Sequence, residues 1–320
     1  MSIDVLALVQ LSAERVGVLA AAGYAVREGK KYPNRLDALR DGSAAIRAVL
    51  TNGRGGLSRD EMALLPQLEF VCTVGAGYEA VDLETARSRG IAVANCPDTN
   101  ASAVADSAMM LLMAATRHLL QADRFVRAGG WQEQWAVVTP TISGKRLGVL
   151  GLGTIGNKIA LRAARGFEME IGYHNRRAVA GSTYRFFESL TALATWADFL
   201  ICAAPGGAET RHLVNAEVLT ALGPRGYLVN IGRGTVVDTA ALIDALRSKR
   251  IAGAGLDVLE GEPAAPPILP ELLQFDSVVI TPHYAGRAPE ARTAATALIL
   301  ANLNAYFAGK PLPSAVSLKP

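Results

Sequence analysis

The chain has 320 residues, half of them hydrophobic and only 19% charged, against roughly 25% charged in typical soluble proteins. A charge fraction that low excludes disorder, a coiled coil and a nucleic-acid-binding tail, and a formal net charge of +3 indicates no polyanionic partner. The length argues for about two domains, and 31 glycines without a collagen period point to tight turns and close backbone approaches to a ligand.

The opening MSIDVLALVQL carries Asp4 and neither a basic leader nor a small-residue cleavage site, so it reads as a β-strand and not a signal peptide. Strand-like apolar runs are 5–11, 46–51, 68–74 and 91–94 in the first third. They continue at 147–150, 169–173, 199–203, 228–231, 254–258 and 278–280. Segments such as 106–127 and 239–249 have helical length and apolar i, i+3, i+4 spacing. Uniformly apolar strands that each lead into a helix predict parallel sheets covered on both faces. The pattern occurs twice, separated by one long helical stretch over 101–128. The fold class is therefore α/β, with two doubly wound parallel-sheet domains.

The strongest apolar run, 108–115, lies between Asp106 and Arg117. It falls well short of the ~20 residues that cross a bilayer, so a buried helix, no membrane partner and a cytoplasmic protein are expected. Cys72, Cys96 and Cys202 are widely spaced within or beside apolar runs, as small core residues of a reducing compartment would be. No Cys/His cluster has metal-ligand spacing, so no metal is expected. Pro97-Asp98-Thr99-Asn100 marks a domain boundary, and a second break falls at Ala288-Pro289. The last helix, about 289–307, has no strand after it to pack beneath. It is expected to return to the first domain, giving 1–99 with 288–320 as one domain and 100–287 as the other.

Two glycine turns compete as a nucleotide site. Gly151-Leu152-Gly153-Thr154-Ile155-Gly156 follows a strand and opens a helix, the arrangement that brings a pyrophosphate to a helix N-terminus. Gly75-Ala76-Gly77-Tyr78-Glu79-Ala80 also follows a strand and even has Asp98 at the distance of a ribose-binding acid. The context favours the second copy along the chain. Its next strand ends in Tyr173-His174-Asn175-Arg176-Arg177, basic where an NAD site would carry an acid. The arginines either sit on a solvated turn or hold a 2′-phosphate. With the glycines upstream the second reading is preferred, which predicts NADPH/NADP over NADH.

Ligands in open α/β sheets lie beyond the carboxyl ends of the strands, and three chemically useful residues fall there. Arg233 stands between Gly232 and Gly234, Glu262 follows the 254–258 strand, and His283 follows Thr281-Pro282. Such a set could bind an anion and move a proton. Asp257 reads equally as a buried acid capping a loop, and Glu262 alone as a solvated loop acid. His118, His174 and His212 read as structural or surface groups.

Together these motifs resemble the D-isomer-specific 2-hydroxyacid dehydrogenase family over essentially the whole chain. The matches are the Gly151 turn, Leu228-Val229-Asn230-Ile231-Gly232-Arg233-Gly234, Gly255-Leu256-Asp257-Val258 through Glu260-Gly261-Glu262-Pro263, and Thr281-Pro282-His283. The 173–177 turn and Ala221-Leu222-Gly223-Pro224-Arg225-Gly226 are most similar to NADPH-linked hydroxypyruvate/glyoxylate and hydroxyphenylpyruvate reductases. The resemblance implies a flavodoxin-like substrate domain, a Rossmann dinucleotide domain and an active site in the cleft between them. It implies that Arg233 pairs with the carboxylate of a small 2-oxo acid, that His283 donates a proton to its carbonyl, and that Glu262 holds the imidazole protonated. It further assigns Gly75, Ala76 and Gly77 to the substrate carboxylate. Gly151, Gly153, Thr154, Ile155, Gly156, Asn175, Arg176, Arg177, Ala204, Pro205, Ile231, Gly232, Asp257 and Gly286 go to the cofactor. A homodimer through 101–128 is expected, and Trp135 either reaches the partner's site or is an interface or core aromatic. Two rivals stand beside the reductase: an NAD(H)-sensing, corepressor-like interaction protein, and an NAD-linked oxidant of another small anion such as formate or phosphite.

Overall fold

The computed structural model describes residues 2–133, 135–262 and 269–317; Pro263, which closes the Glu262 motif, lies outside them. The chain divides into two compact units, one comprising the residues up to Asn100 together with those from Ala288 onward, the other Ala101–Arg287.

In the first unit, apolar runs make β1 (Ile3–Ala7), β3 (Ile46–Thr51), β4 (Phe70–Thr73) and β5 (Ala92–Ala94), with β2 (Tyr24–Glu28) on the edge. Between them run α1 (Ala13–Ala21), α2 (Arg35–Arg40), α3 (Arg59–Ala63) and α4 (Leu83–Ser88). Each of these four helices starts on a side-chain cap, from Ser12, Asn34, Ser58 and Asp82, which satisfies N–H groups the first turn leaves open. The sheet is parallel in the order β2-β1-β3-β4-β5. The expected strand 5–11 is found at Ile3–Ala7, with Leu8 N making the last ladder bond, to the Leu50 carbonyl at 2.8 Å. Strand β2 was not anticipated: its Arg27 and Glu28 interrupt the apolar pattern, and Arg27 is paired with Asp4 on β1 at 3.1 Å.

The second unit opens with α5 (Ala101–Thr116) and α6 (Leu119–Arg127). The single helix expected over 106–127 is thus two. His118 takes a left-handed conformation, φ 50°, and Thr116 Oγ1 bonds back to the Leu112 carbonyl, a local bond that competes with helix propagation. There follow β6 (Arg146–Leu150), α7 (Thr154–Phe167), β7 (Glu170–His174), β8 (Arg185–Phe186), α8 (Leu190–Trp196), β9 (Phe199–Cys202), α9 (Ala216–Leu222) and β10 (Tyr227–Asn230). α10 (Thr239–Arg247), β11 (Gly253–Leu256), α11 (Leu269–Leu272) and β12 (Val278–Ile280) complete the unit. Its seven strands are parallel in the order β12-β11-β10-β9-β6-β7-β8. The order reverses between β6 and β9, the place where doubly wound sheets open a crevice. One face buries α5 and α7, the other α8, α9 and α10. Gly255 lets α5 approach closely, since a Cβ there would lie 2.9 Å from that of Leu111.

The chain then returns to the first unit as α12 (Pro289–Phe307). Its Ile299 and Leu303 enter the core formed by Val5, Leu50 and Phe70, Arg15 donates to Thr296 Oγ1 at 2.7 Å, and Tyr306 stacks on Phe70. Cys72, Cys96 and Cys202 are buried free thiols.

Candidate active site

At the end of β6 the glycines divide the work. Gly151 has φ +95°, and a Cβ there would lie 2.8 Å from the Ala204 nitrogen; at Gly156 it would lie 2.1 Å from the Gly151 carbonyl oxygen. These two allow the turn and the tight seat of α7 on the strand. A Cβ on Gly153 would meet nothing within 4 Å, so its missing side chain leaves the approach to α7 open. The first turn of α7 has no side-chain cap, which presents N–H donors to an anion. A cavity of about 380 Å³ lies there, lined by Leu152, Gly153, Thr154, Asn157, Val179 and Tyr184 among others. These features fit a dinucleotide pyrophosphate.

Other expected cofactor residues gather round the same turn. Asn175 Oδ1 accepts from the Leu152 N–H at 2.7 Å and so shapes the turn itself. Ala204 and Pro205 follow β9. A Cβ on Gly232 would sit 2.5 Å from the Ala204 oxygen, so the loops after β6, β9 and β10 converge on the Ala204 backbone. Ile231 is buried. Arg176 and Arg177 are exposed beyond β7, and Arg176 Nη1 pairs with Glu209 Oε2 at 2.7 Å. The competing turn at Gly75 differs in kind: no helix begins until Leu83. It is held instead between strands, with the Gly75 oxygen accepting from Cys96 N at 2.8 Å and the Ala76 oxygen from Asn95 Nδ2 at 2.7 Å.

Arg233 stands in extended conformation after β10. Asn230, buried in that strand, clips its loop by donating to the Arg233 carbonyl at 3.0 Å and accepting from Gly232 N at 3.1 Å. Gly206 lies flat on the aliphatic stem; a Cβ there would be 2.8 Å from Arg233 Cγ. The guanidinium donates to the Gly232 carbonyl at 2.9 Å.

One strand along, after β11, Asp257 is 2% exposed and organises the loop that carries His283. Its Oδ1 accepts from Thr281 Oγ1 at 2.6 Å and Tyr284 N at 2.9 Å, and its Oδ2 from Ala285 N at 3.0 Å. This is the capping arrangement. His283 itself sits at φ 51°, a left-handed conformation that costs a non-glycine residue of order 1 kcal/mol or more and clusters at functional sites. Its Nδ1 lies 2.5 Å from Glu262 Oε2, and Glu262 Oε1 accepts from Leu259 N at 2.8 Å. Glu262 is therefore no solvated loop acid. With Nδ1 held, the imidazole presents Nε2 as its working nitrogen.

Two supports escaped the sequence reading: Asn230, hidden inside a strand, and a carboxylate hub at Glu260. Glu260 Oε1 accepts from His212 Nε2 at 2.7 Å, and its Oε2 from Thr239 N and Oγ1 at 3.2 and 2.9 Å. Burial raises the Glu260 pKa, but the hydrogen bonds from His212 and Thr239 outweigh it and hold the carboxyl below its usual range. Trp135 packs its ring against Phe125, with centroids 5.2 Å apart. Among the described residues no His/Cys/Asp/Glu group could hold a metal ion, and no helix is long and apolar enough to cross a membrane.

The family model of the D-isomer specific 2-hydroxyacid dehydrogenase, NAD binding domain, matches residues 109–285. Among curated proteins, 2-ketogluconate reductase of Gluconobacter oxydans is 43% identical over 277 residues, 87% of this chain and 88% of its own. Hydroxyphenylpyruvate reductase of Plectranthus scutellarioides is 39% identical over 280 residues, 88% of each. A solved structure of NADPH-dependent glyoxylate/hydroxypyruvate reductase from Sinorhizobium meliloti, in complex with NADP and malonate, superposes with TM-score 0.86 at 35% identity. It covers all of this chain and 98% of its own.

Proposed function

The chain belongs to the D-isomer-specific 2-hydroxyacid dehydrogenase family, and from that premise we propose that it reduces small 2-oxo acids, glyoxylate and hydroxypyruvate foremost, to D-2-hydroxy acids with NADPH. The observation that carries the reading is the Glu262–His283 pair at 2.5 Å on a strained strand-end loop, since a positioned carboxylate–imidazole pair is what proton transfer requires. A sensor of dinucleotides has no use for it.

The bound nicotinamide cofactor supplies the hydride. His283 gives the proton from Nε2 to the carbonyl oxygen, and Glu262 orients the ring and offsets its positive charge. Arg233 takes the substrate carboxylate, a task suited to its planar fork of donors, and the backbone at Gly75, Ala76 and Gly77 takes part in binding that carboxylate. Thr154, Ile155 and Gly286 line the cofactor with the glycines of the Gly151 turn. Residues 100–287 act as the dinucleotide-binding domain, and 1–99 with 288–320 as the substrate domain. Preference for NADPH rests on Arg176 and Arg177, which stand beyond β7 where an acid would repel a 2′-phosphate. The chain works as a cytoplasmic homodimer. In support, α6 has no buried residue, and Leu119, Val126, Trp131 and Val138 are all exposed, an apolar surface that a second copy would cover.

The test is oxidation of NADPH and of NADH against a panel of glyoxylate, hydroxypyruvate, hydroxyphenylpyruvate and 2-ketogluconate. The last is included because a relative 43% identical bears its name. No turnover above background with any of them sinks the reductase reading. Equal kcat/KM with NADPH and NADH removes the role given to Arg176 and Arg177. Formate or phosphite oxidation with NAD would put the oxidant reading in its place.

A further inference from the structure

We infer that Glu260, braced by His212, is a positioning residue: it anchors the segment from Leu259 to Glu262 and thereby keeps Glu262 on His283. The inference rests on the reductase reading for its activity assay. The two acids of this short segment have divided tasks. Glu262 folds back onto Leu259 N at 2.8 Å and reaches His283 at 2.5 Å. Glu260 goes to the surrounding framework, where three hydrogen-bond donors and one further cation meet it. His212 Nε2 and both the N–H and hydroxyl of Thr239, at the start of α10, lie within 3.2 Å, and the Arg211 guanidinium lies at 3.6 Å. His212 is fixed in turn: its backbone is left-handed, its N–H donates to Thr235 O at 2.8 Å, and its Nδ1 lies 3.9 Å from Asp238 Oδ2.

The anchored segment also touches the loop of Arg233. A Cβ on Gly234 would lie 2.0 Å from the Leu259 carbonyl carbon and 2.4 Å from Glu260 N, so the residue after Arg233 rests directly on the Leu259–Glu260 backbone. Thr235, whose carbonyl holds His212, belongs to the same loop. One carboxylate therefore ties together the segment bearing the partner of the proton donor and the loop bearing the carboxylate-binding arginine. None of these bonds runs from Glu260 to the His283 imidazole or the Arg233 guanidinium; it acts through the backbone.

Two measurements on Glu260→Ala, Glu260→Gln and His212→Gln test this. In the reductase assay, Glu260→Ala should lower kcat about tenfold or more, as misplacement of a catalytic group by a fraction of an ångström does, with NADPH affinity unchanged. Glu260→Gln, which keeps the size and an acceptor, should recover most of that loss. A cooperatively melting Glu260→Ala with wild-type kcat, or a glutamine variant no better than alanine, overturns the proposal. In the second measurement, diethylpyrocarbonate modifies His283 in the enzyme without substrate, followed by peptide mass spectrometry. Release of Glu262 should speed the modification severalfold in Glu260→Ala, and in His212→Gln should the alanine variant not fold. An unchanged rate overturns the proposal whether or not the protein turns over 2-oxo acids. Absence of turnover in the wild type counts only against the reductase reading.

Discussion

Replacing Asp257 tests how the loop of His283 is held. The carboxylate accepts three hydrogen bonds, from Thr281 Oγ1, Tyr284 N and Ala285 N, at a position 2% exposed. Asp257→Ala strips all three donors of their partner in a site that water barely reaches. Three buried donors left without an acceptor, at about 1–3 kcal/mol each before the loop relaxes, cost about 3–5 kcal/mol together. Asp257→Asn is gentler: its one remaining oxygen can serve Tyr284 N and the Thr281 hydroxyl, leaving only Ala285 N facing an amide. One unsatisfied buried donor costs about 1–3 kcal/mol. At roughly 2–4 °C per kcal/mol for a domain of this size, the alanine variant should melt about 6–20 °C lower and the asparagine variant roughly 2–12 °C lower. The same bonds keep His283 at φ 51°, a conformation that relaxes once they are gone, so kcat should fall in both variants, and further in alanine. Thermal melts by circular dichroism, paired with turnover below the melting range, read both effects. An alanine variant that melts within 2 °C of wild type and keeps its kcat would refute the reasoning, because the loop would then be held by something other than Asp257.

Gly153→Ala should leave the melting temperature unchanged, since its Cβ would meet nothing within 4 Å, yet weaken NADPH binding measured by fluorescence titration. Gly156→Ala, whose Cβ would lie 2.1 Å from the Gly151 oxygen, should instead lower stability in the same melts. Glu209→Gln releases Arg176 from its ion pair and should lower the KM for NADPH relative to NADH, an effect that fades as salt is raised. Asp198 is raised by burial but held below its usual range overall by hydrogen bonds from the Arg146 side chain and N–H. Its folded pKa is therefore the lower one. The stability it gives is complete above the unfolded carboxylate pKa of about 3.9 and is lost as pH falls through the folded value. Urea midpoints between pH 6 and 3 should drop less steeply in Asp198→Asn than in wild type.

The central strands of both sheets were legible because parallel strands covered on both faces are apolar without interruption. The edges were not. Strand β2 carries charge, β8 has only two residues, and neither presents a continuous run. The split between α5 and α6 left no trace in the periodicity, since neither Gly nor Pro stands at Arg117-His118 and the break lies in one backbone conformation. At the candidate site, Arg233 and His283 could be singled out because glycine and proline punctuate strand ends. The Glu260–His212 bond could not, because it joins residues 48 positions apart and neither residue belongs to a pattern that requires the other. Asp257 was open between two readings, and the positions of three donors in a loop two dozen residues away explain why its own neighbours in sequence could not decide.

The return of α12 to the first unit has a consequence for synthesis on the ribosome. The β1–β5 sheet is complete in the nascent chain once Ala94 has emerged, but Ile299 and Leu303, which bury Val5, Leu50 and Phe70, come only after the whole of Ala101–Arg287. At about 5–20 residues per second, that face waits roughly 10–40 s for its cover. The inserted unit, contiguous in sequence, can fold during the interval. The second unit can then mature before the first, whose complete sheet keeps one apolar face uncovered until α12 arrives.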